Sequence, residues 1–110
     1  MTDNTDMDQL IYKASLQINN SIKRYEVQKV ASIINSEFPT DYAITDSGIT
    51  AIGLAASQAE KEPKYKPHIK RMLETIAIAG PNYNHRDNFG RAPIHYACRV
   101  GSETATQFLL

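Results

Sequence analysis

Three short constellations in the 110-residue chain carry residue types that do chemistry. His85-Arg86-Asp87, followed by Asn88-Phe89-Gly90, has the order of the catalytic-loop and metal-loop fragments of phosphoryl-transfer enzymes. That chemistry also requires a Gly-rich phosphate loop, a strand lysine and far more chain, and the sequence supplies none of them, so the tripeptide reads as a turn tip. Cys98 with His95 and His85 offers a thiol and candidate bases. His95 and Cys98 stand three apart on one short predicted helix, with no orienting third group and no oxyanion donor. A free cysteine is ordinarily a small buried hydrophobe, and packing is the reading taken for Cys98. His68, His85 and His95 have no metal-ligand spacing. No catalytic residue, metal or cofactor is therefore expected, and the chain reads as non-enzymatic.

Two further features concern binding. Lys61, Lys64, Lys66, Lys70 and Arg71 place five of the twelve cations in one stretch, with Tyr65 among them and Glu60, Glu62 and Glu74 interleaved. Such a run docks an acidic, tubulin-like partner or is a solvated insertion. The interleaved glutamates favour the insertion, although long loops are frequently functional. Asn19-Asn20-Ser21 matches a glycosylation sequon, but Met1 to Gln9 is acidic and polar rather than a secretory leader, so the tripeptide reads as a turn.

Composition narrows the class. Twelve basic and twelve acidic side chains cancel, which excludes a general electrostatic grip on nucleic acid or an anionic membrane. No stretch approaches the ~18 consecutive apolar residues that span a bilayer, so no membrane insertion is expected. One cysteine makes neither an internal disulfide nor a multi-Cys zinc site. With 42% apolar and 22% charged residues the chain has an ordinary globular composition, and the expected compartment is the cytoplasm.

The elements that position these residues follow from apolar spacing and punctuation. Residues 1–7 are polar and expected to fray. Leu10, Ile11, Ala14 and Ile18 share a helical face. Asn19-Asn20 then reads as a tight turn, with a second helix over 21–35 burying Val27, Val30, Ala31 and Ile34. Thr50 caps a short helix of small residues over 50–58. Residues 59–66 read as a polar loop, and Pro67 as the first residue of a helix whose buried face is Ile69, Met72, Leu73, Ile76 and Ala77. Gly80-Pro81 stops that helix. Pro93 opens another, ending near Val100-Gly101, and Ser102 caps a last one containing Ala105, Phe108 and Leu109. These make three helix pairs.

The pairs repeat. The segment Gly48 to Ala56 overlays Gly90 to Cys98, 42 residues later, with Gly, a gap, a helix start, Ile in the same place and two small residues at the end. The stretch Gly80-Pro81-Asn82-Tyr83-Asn84-His85-Arg86-Asp87-Asn88-Phe89-Gly90-Arg91-Ala92-Pro93-Ile94-His95-Tyr96-Ala97-Cys98-Arg99-Val100-Gly101 resembles the ankyrin repeat family, whose signature is Thr-Pro-Leu-His-x-Ala and whose period is ~33 residues. The copy over 45–84 is a degraded relative, with Ala51 for Pro, Gly53 for His and a charged insertion at about 59–67. Residues 8–41 keep only the helix-pair pattern, as a divergent first repeat or helical cap, and 85–110 form the third unit. Ala92 departs from the family's threonine, which removes a side-chain cap at a cost of about 0.5–2 kcal/mol.

The resemblance implies an all-α, ankyrin-type helix-turn-helix repeat solenoid with β-hairpin-like loops. It implies a non-catalytic scaffold or adaptor that binds other proteins, with further repeats expected after Leu110. The alternatives are the regulatory front end of a larger enzyme or channel, or a cytoskeletal or ciliary ankyrin protein. Family positions that touch partners fall on Arg86, Asn88, Phe89, Arg91, Tyr96, Arg99 and Val100 in the third unit. In the second they fall on Asp46, Ser47, Ile49, Ser57 and Gln58. Asn84 occupies the family's hydroxylatable asparagine.

Overall fold

The structure, a computed structural model, describes residues 4–35, 38–58, 64 and 66–110. It is all-α: the described residues form six helices and no strand. In order they are α1 (Asn4–Lys23), α2 (Val27–Asn35), α3 (Ala51–Ala56), α4 (Lys66–Ala77), α5 (Pro93–Val100) and α6 (Glu103–Leu109). Helices α1, α3 and α5 touch in succession, as do α2, α4 and α6, and each consecutive pair also touches, α1 with α2, α3 with α4 and α5 with α6. The result is two layers of three helices.

Burial explains the layering. Every residue of α3, Ala51 to Ala56, is buried, because α1, α4 and α5 all pack on it. A helix with no solvent face has to be apolar all round, and its small side chains let the neighbours come close. Helix α4 has neighbours in both layers, α3, α2 and α6, and buries Ile69, Met72, Leu73 and Ile76. One core joins Ile18, Ile22, Val30 and Ile34 to these residues and to Ala97 and Ala105.

Several boundaries differ from the sequence expectation. Helix α1 begins at Asn4, inside the stretch expected to fray, and runs straight through Asn19-Asn20. Ile18 and Ile22 are one helical turn apart and both fully buried, so a break at Asn19-Asn20 would take Ile22 out of the core. The side chain of Asn19 instead donates from Nδ2 to the Ile44 carbonyl at 2.9 Å. The chain reverses at Arg24-Tyr25. The Glu26 N–H donates to Ser21 O at 2.8 Å and the Tyr25 N–H to Ile22 O at 3.1 Å, the paired bonds of a Schellman helix end. The left-handed residue of that motif is Tyr25, at φ 59°. Helix α2 therefore starts at Val27 rather than residue 21.

The other ends lie closer to expectation. Helix α4 starts one residue earlier than Pro67, which still leaves the proline in the first turn where its missing donor is harmless. Residues 59–63 and 65 of the expected loop lie outside the described residues. Gly101 (φ 72°) closes α5 with the same paired bonds as α1, from Ser102 N to Ala97 O and from Gly101 N to Cys98 O. Ser102 caps α6, its hydroxyl accepting from Ala105 N at 3.1 Å. Cys98 is exposed, contrary to the packing expected of it. Ala97 beside it is the residue of that helix with no exposed surface.

Candidate interaction surface

Two turns, one before α3 and one before α5, are built alike. In the first, Gly48 N–H donates to Thr45 O at 3.1 Å and Ile49 N–H to the Thr45 hydroxyl at 3.0 Å. In the second, Gly90 N–H donates to Asp87 O at 3.0 Å and Arg91 N–H to the Asp87 carboxylate at 2.9 Å. Gly48 and Gly90 both take left-handed backbone angles, φ 88° and 77°. Each atom of the second set lies 42 positions after its counterpart.

The turns also stack on one another. Asn88 N–H donates to Ser47 O at 2.8 Å and its side-chain amide to Asp46 O at 3.2 Å, and Asp46 is the position 42 residues before Asn88. His85 Nε2 lies 3.3 Å from Gly48 O. One segment along, Asn82 N–H donates to the Asp41 carboxylate at 2.8 Å. Gly48 sits under this contact: a Cβ there would meet Asn88 Oδ1 at 2.7 Å.

The second turn centres on a carboxylate. One oxygen of buried Asp87 accepts the N–H groups of Phe89 and Arg91, both at 2.9 Å. The other accepts the Tyr96 hydroxyl. Arg91 spreads its guanidinium over the Phe89 ring at 5.4 Å and the Tyr96 ring at 5.9 Å, within cation–π range. Burial acts to raise the Asp87 pKa. The bonds from Tyr96, Arg91 and Phe89, with the Arg91 charge, outweigh it and hold the carboxyl below its ordinary value. Burial, then the bond to Asp87, pushes the Tyr96 phenol up.

The residues expected to meet partners fall into three groups. Arg86, Asn88 and Phe89 are exposed at the second tip, with Phe89 at 69% of its maximal exposure. Arg86 donates to Gly90 O at 2.8 Å, so the tip holds its own arginine in place. Asp46 is exposed on the first tip, beside half-buried Ser47, whose hydroxyl lies 3.0 Å from that of Thr45. Ile49 is half-buried and packs on the core. A second group lies within or after the helices. Tyr96 is only 8% exposed, with its hydroxyl committed to Asp87, and Arg91 covers it. Ser57 and Gln58 both donate to Leu54 O, at 2.6 and 3.1 Å, and finish α3. Arg99 and Val100 form a third, exposed group on the last turn of α5. Asn84 is exposed, and its N–H donates to the side chain of Asn82 at 2.9 Å, so Asn82 makes the turn. His95 Nδ1 accepts the Ala92 N–H at 2.8 Å and the His95 N–H donates to the Ala92 carbonyl at 3.0 Å, which ties the first turn of α5 without a side-chain cap at Ala92.

Sequence reasoning placed Asp87 in a turn tip but missed its bond to Tyr96. The signal available was a carboxylate nine residues before a tyrosine across a helix start, which only a known turn geometry turns into a contact. No group of three or more metal-binding side chains gathers among the described residues, and none of their helices is long and apolar enough to cross a membrane. No family model matches the chain, and no curated protein matches it.

Proposed function

We propose that the chain is a non-catalytic protein-recognition module made of ankyrin-type repeats, in which the stacked turn tips and the exposed end of α5 meet the partner. The supporting observation is the pair of turns. Hydrogen bonds recur at a 42-residue offset, and Asn88 of one turn seats on Asp46 and Ser47 of the other. Repeat units stacked in this way present an extended surface to other macromolecules. Phe89 supplies an exposed aromatic anchor and Arg86 and Arg91 supply guanidinium groups, residue types enriched where binding energy concentrates.

Quantitative affinity capture compares the full chain with Phe89→Ala and Arg86→Ala, after thermal melting has shown each variant to be as stable as the parent. The expected result is at least one protein retained by the parent and depleted about tenfold or more by Phe89→Ala, in line with a loss of ~1–3 kcal/mol at an aromatic anchor. Identical capture by parent and both variants contradicts the role of the tips.

A further inference from the structure

The lysine- and arginine-rich stretch runs into α4. The fold sets two residues of its described portion, His68 and Arg71, against the α1–α2 turn. Helices α2 and α4 touch, and the Tyr25 ring stands 6.3 Å from the His68 ring. A groove of about 350 Å³ between these helices is lined by Tyr25, Glu26, Lys29, His68 and Arg71, among others. A second groove, of about 400 Å³ between α1 and α2, is lined by Arg24, Glu26 and Lys29 together with the polar side chains of Gln17, Asn20 and Ser32. Glu26 and Lys29 belong to both, so the two grooves flank the start of α2.

The charge here is lopsided although the whole chain is neutral. Arg24, Lys29 and Arg71 line the two grooves, and the acidic residue in their lining is Glu26. Glu26 pairs with Lys29 at 2.9 Å. Arg24 on one flank and Arg71 on the other enter no ion pair among the described residues. A guanidinium holds a carboxylate through two parallel N–H bonds.

We propose that this surface is a second docking site, independent of the turn tips, for an acidic polypeptide segment whose carboxylates meet Arg24 and Arg71 across the start of α2. A peptide places its charges one at a time and so clears Glu26, which would repel the unbroken phosphate line of a nucleic acid or a membrane sheet. The aromatic ring in the lining, Tyr25, stands against His68, so the described residues of the groove present no row of open rings for bases to stack on. Binding through exposed charges of this kind is strongest at low ionic strength.

Fluorescence anisotropy on the full chain at low salt tests this with a dye-labelled peptide rich in Glu and Asp. A labelled oligouridylate and anionic phosphatidylserine vesicles serve as the competing classes. The peptide is expected to bind more tightly than either. Arg24→Glu and Arg71→Glu are each expected to weaken it about fivefold or more, while Lys13→Glu, the same charge change on the exposed side of α1 outside both grooves, weakens it less than about twofold. No binding of the peptide, equal losses in all three variants, or tighter binding of the oligonucleotide or vesicles overturns the proposal. Should the variants lose their helical circular dichroism, isotope-edited NMR of the unmodified chain decides. The peptide must shift amide signals in 24–29 and 68–71, and shifts centred on 86–91 overturn the proposal.

Discussion

The turns before α3 and α5 share a left-handed glycine and the backbone bond that it closes, and differ in the side chains that hold them. Three positions change together. Thr45, Ile49 and Leu54 in the first copy become Asp87, Arg91 and Tyr96 in the second, each 42 residues on. In the first, a neutral hydroxyl accepts the Ile49 N–H, while Leu54 is buried and Ile49 packs on the core. In the second, a carboxylate accepts two N–H groups and a phenol, with an arginine laid over the rings. A turn covered by its neighbour, as Asn88 covers the first, is held by apolar packing and the paired Thr45 and Ser47 hydroxyls. The turn with the exposed tip is held by a charged network. The two solutions are not interchangeable residue by residue, because a lone Asp in the apolar set would lack its phenol and its arginine.

The largest expected effect separates these solutions. Asp87→Ala leaves two backbone donors and the Tyr96 hydroxyl without their acceptor and should destabilise the fold by roughly 3 kcal/mol. Thr45→Ala, which removes a single neutral acceptor, should cost about 1 kcal/mol. Urea unfolding of both variants measures the gap, and equal losses would erase the distinction. Next come the two glycines. Gly90→Ala meets no atom within 4 Å and carries only its left-handed angle, about 1–2 kcal/mol. Gly48→Ala has the same angular cost and also drives a Cβ to 2.7 Å from Asn88 Oδ1 and 3.2 Å from its backbone nitrogen. It should cost roughly 1 kcal/mol more than Gly90→Ala in the same unfolding series.

The pH dependence sharpens the comparison further. The Asp87 carboxyl is held below its unfolded value, so the stability it contributes is fully present above about pH 4 and is lost as pH falls through the lower, folded value. Tyr96 is shifted up, so its contribution is present below about pH 10 and is lost as pH rises through the folded value. Asp87→Asn should flatten the acid limb of a stability–pH profile and Tyr96→Phe the alkaline limb. Thr45→Val should leave the shape of both limbs unchanged. The smallest effect belongs to the tip itself. Phe89 is 69% exposed, so Phe89→Ala should change thermal stability by less than about 0.5 kcal/mol; a larger loss would make Phe89 part of the packing.

Much of this arrangement is legible in the amino-acid order, where residues with one conformational meaning stand at the boundaries. Gly101 closing α5, Ser102 opening α6 and Pro93 starting α5 act through their own backbone or hydroxyl and sit where they were expected. The α1–α2 reversal was misplaced because a tyrosine takes the left-handed position that glycine usually occupies, at φ 59°. Tyr25 packs against the core and stands beside His68, a residue more than 40 positions away that no local pattern records. The Asp87–Tyr96 bond and the approach of the α1–α2 turn to α4 are likewise products of tertiary packing. The exposure of Cys98 follows from helix phase: Ala97, one residue earlier, is the position that turns inward.

Successive turns lock together in register, and the Asn88 amide reports on that stacking directly. Its side chain is exposed, yet its N–H is expected to be held by Ser47 O at 2.8 Å across the join. In native-state hydrogen exchange this amide should be protected to a degree similar to those of Ile49 and Arg91, which are bonded within their own turns. Exchange of Asn88 at the rate of an unstructured chain, with Ile49 and Arg91 still protected, would show that the two turns fold without stacking and would contradict the account.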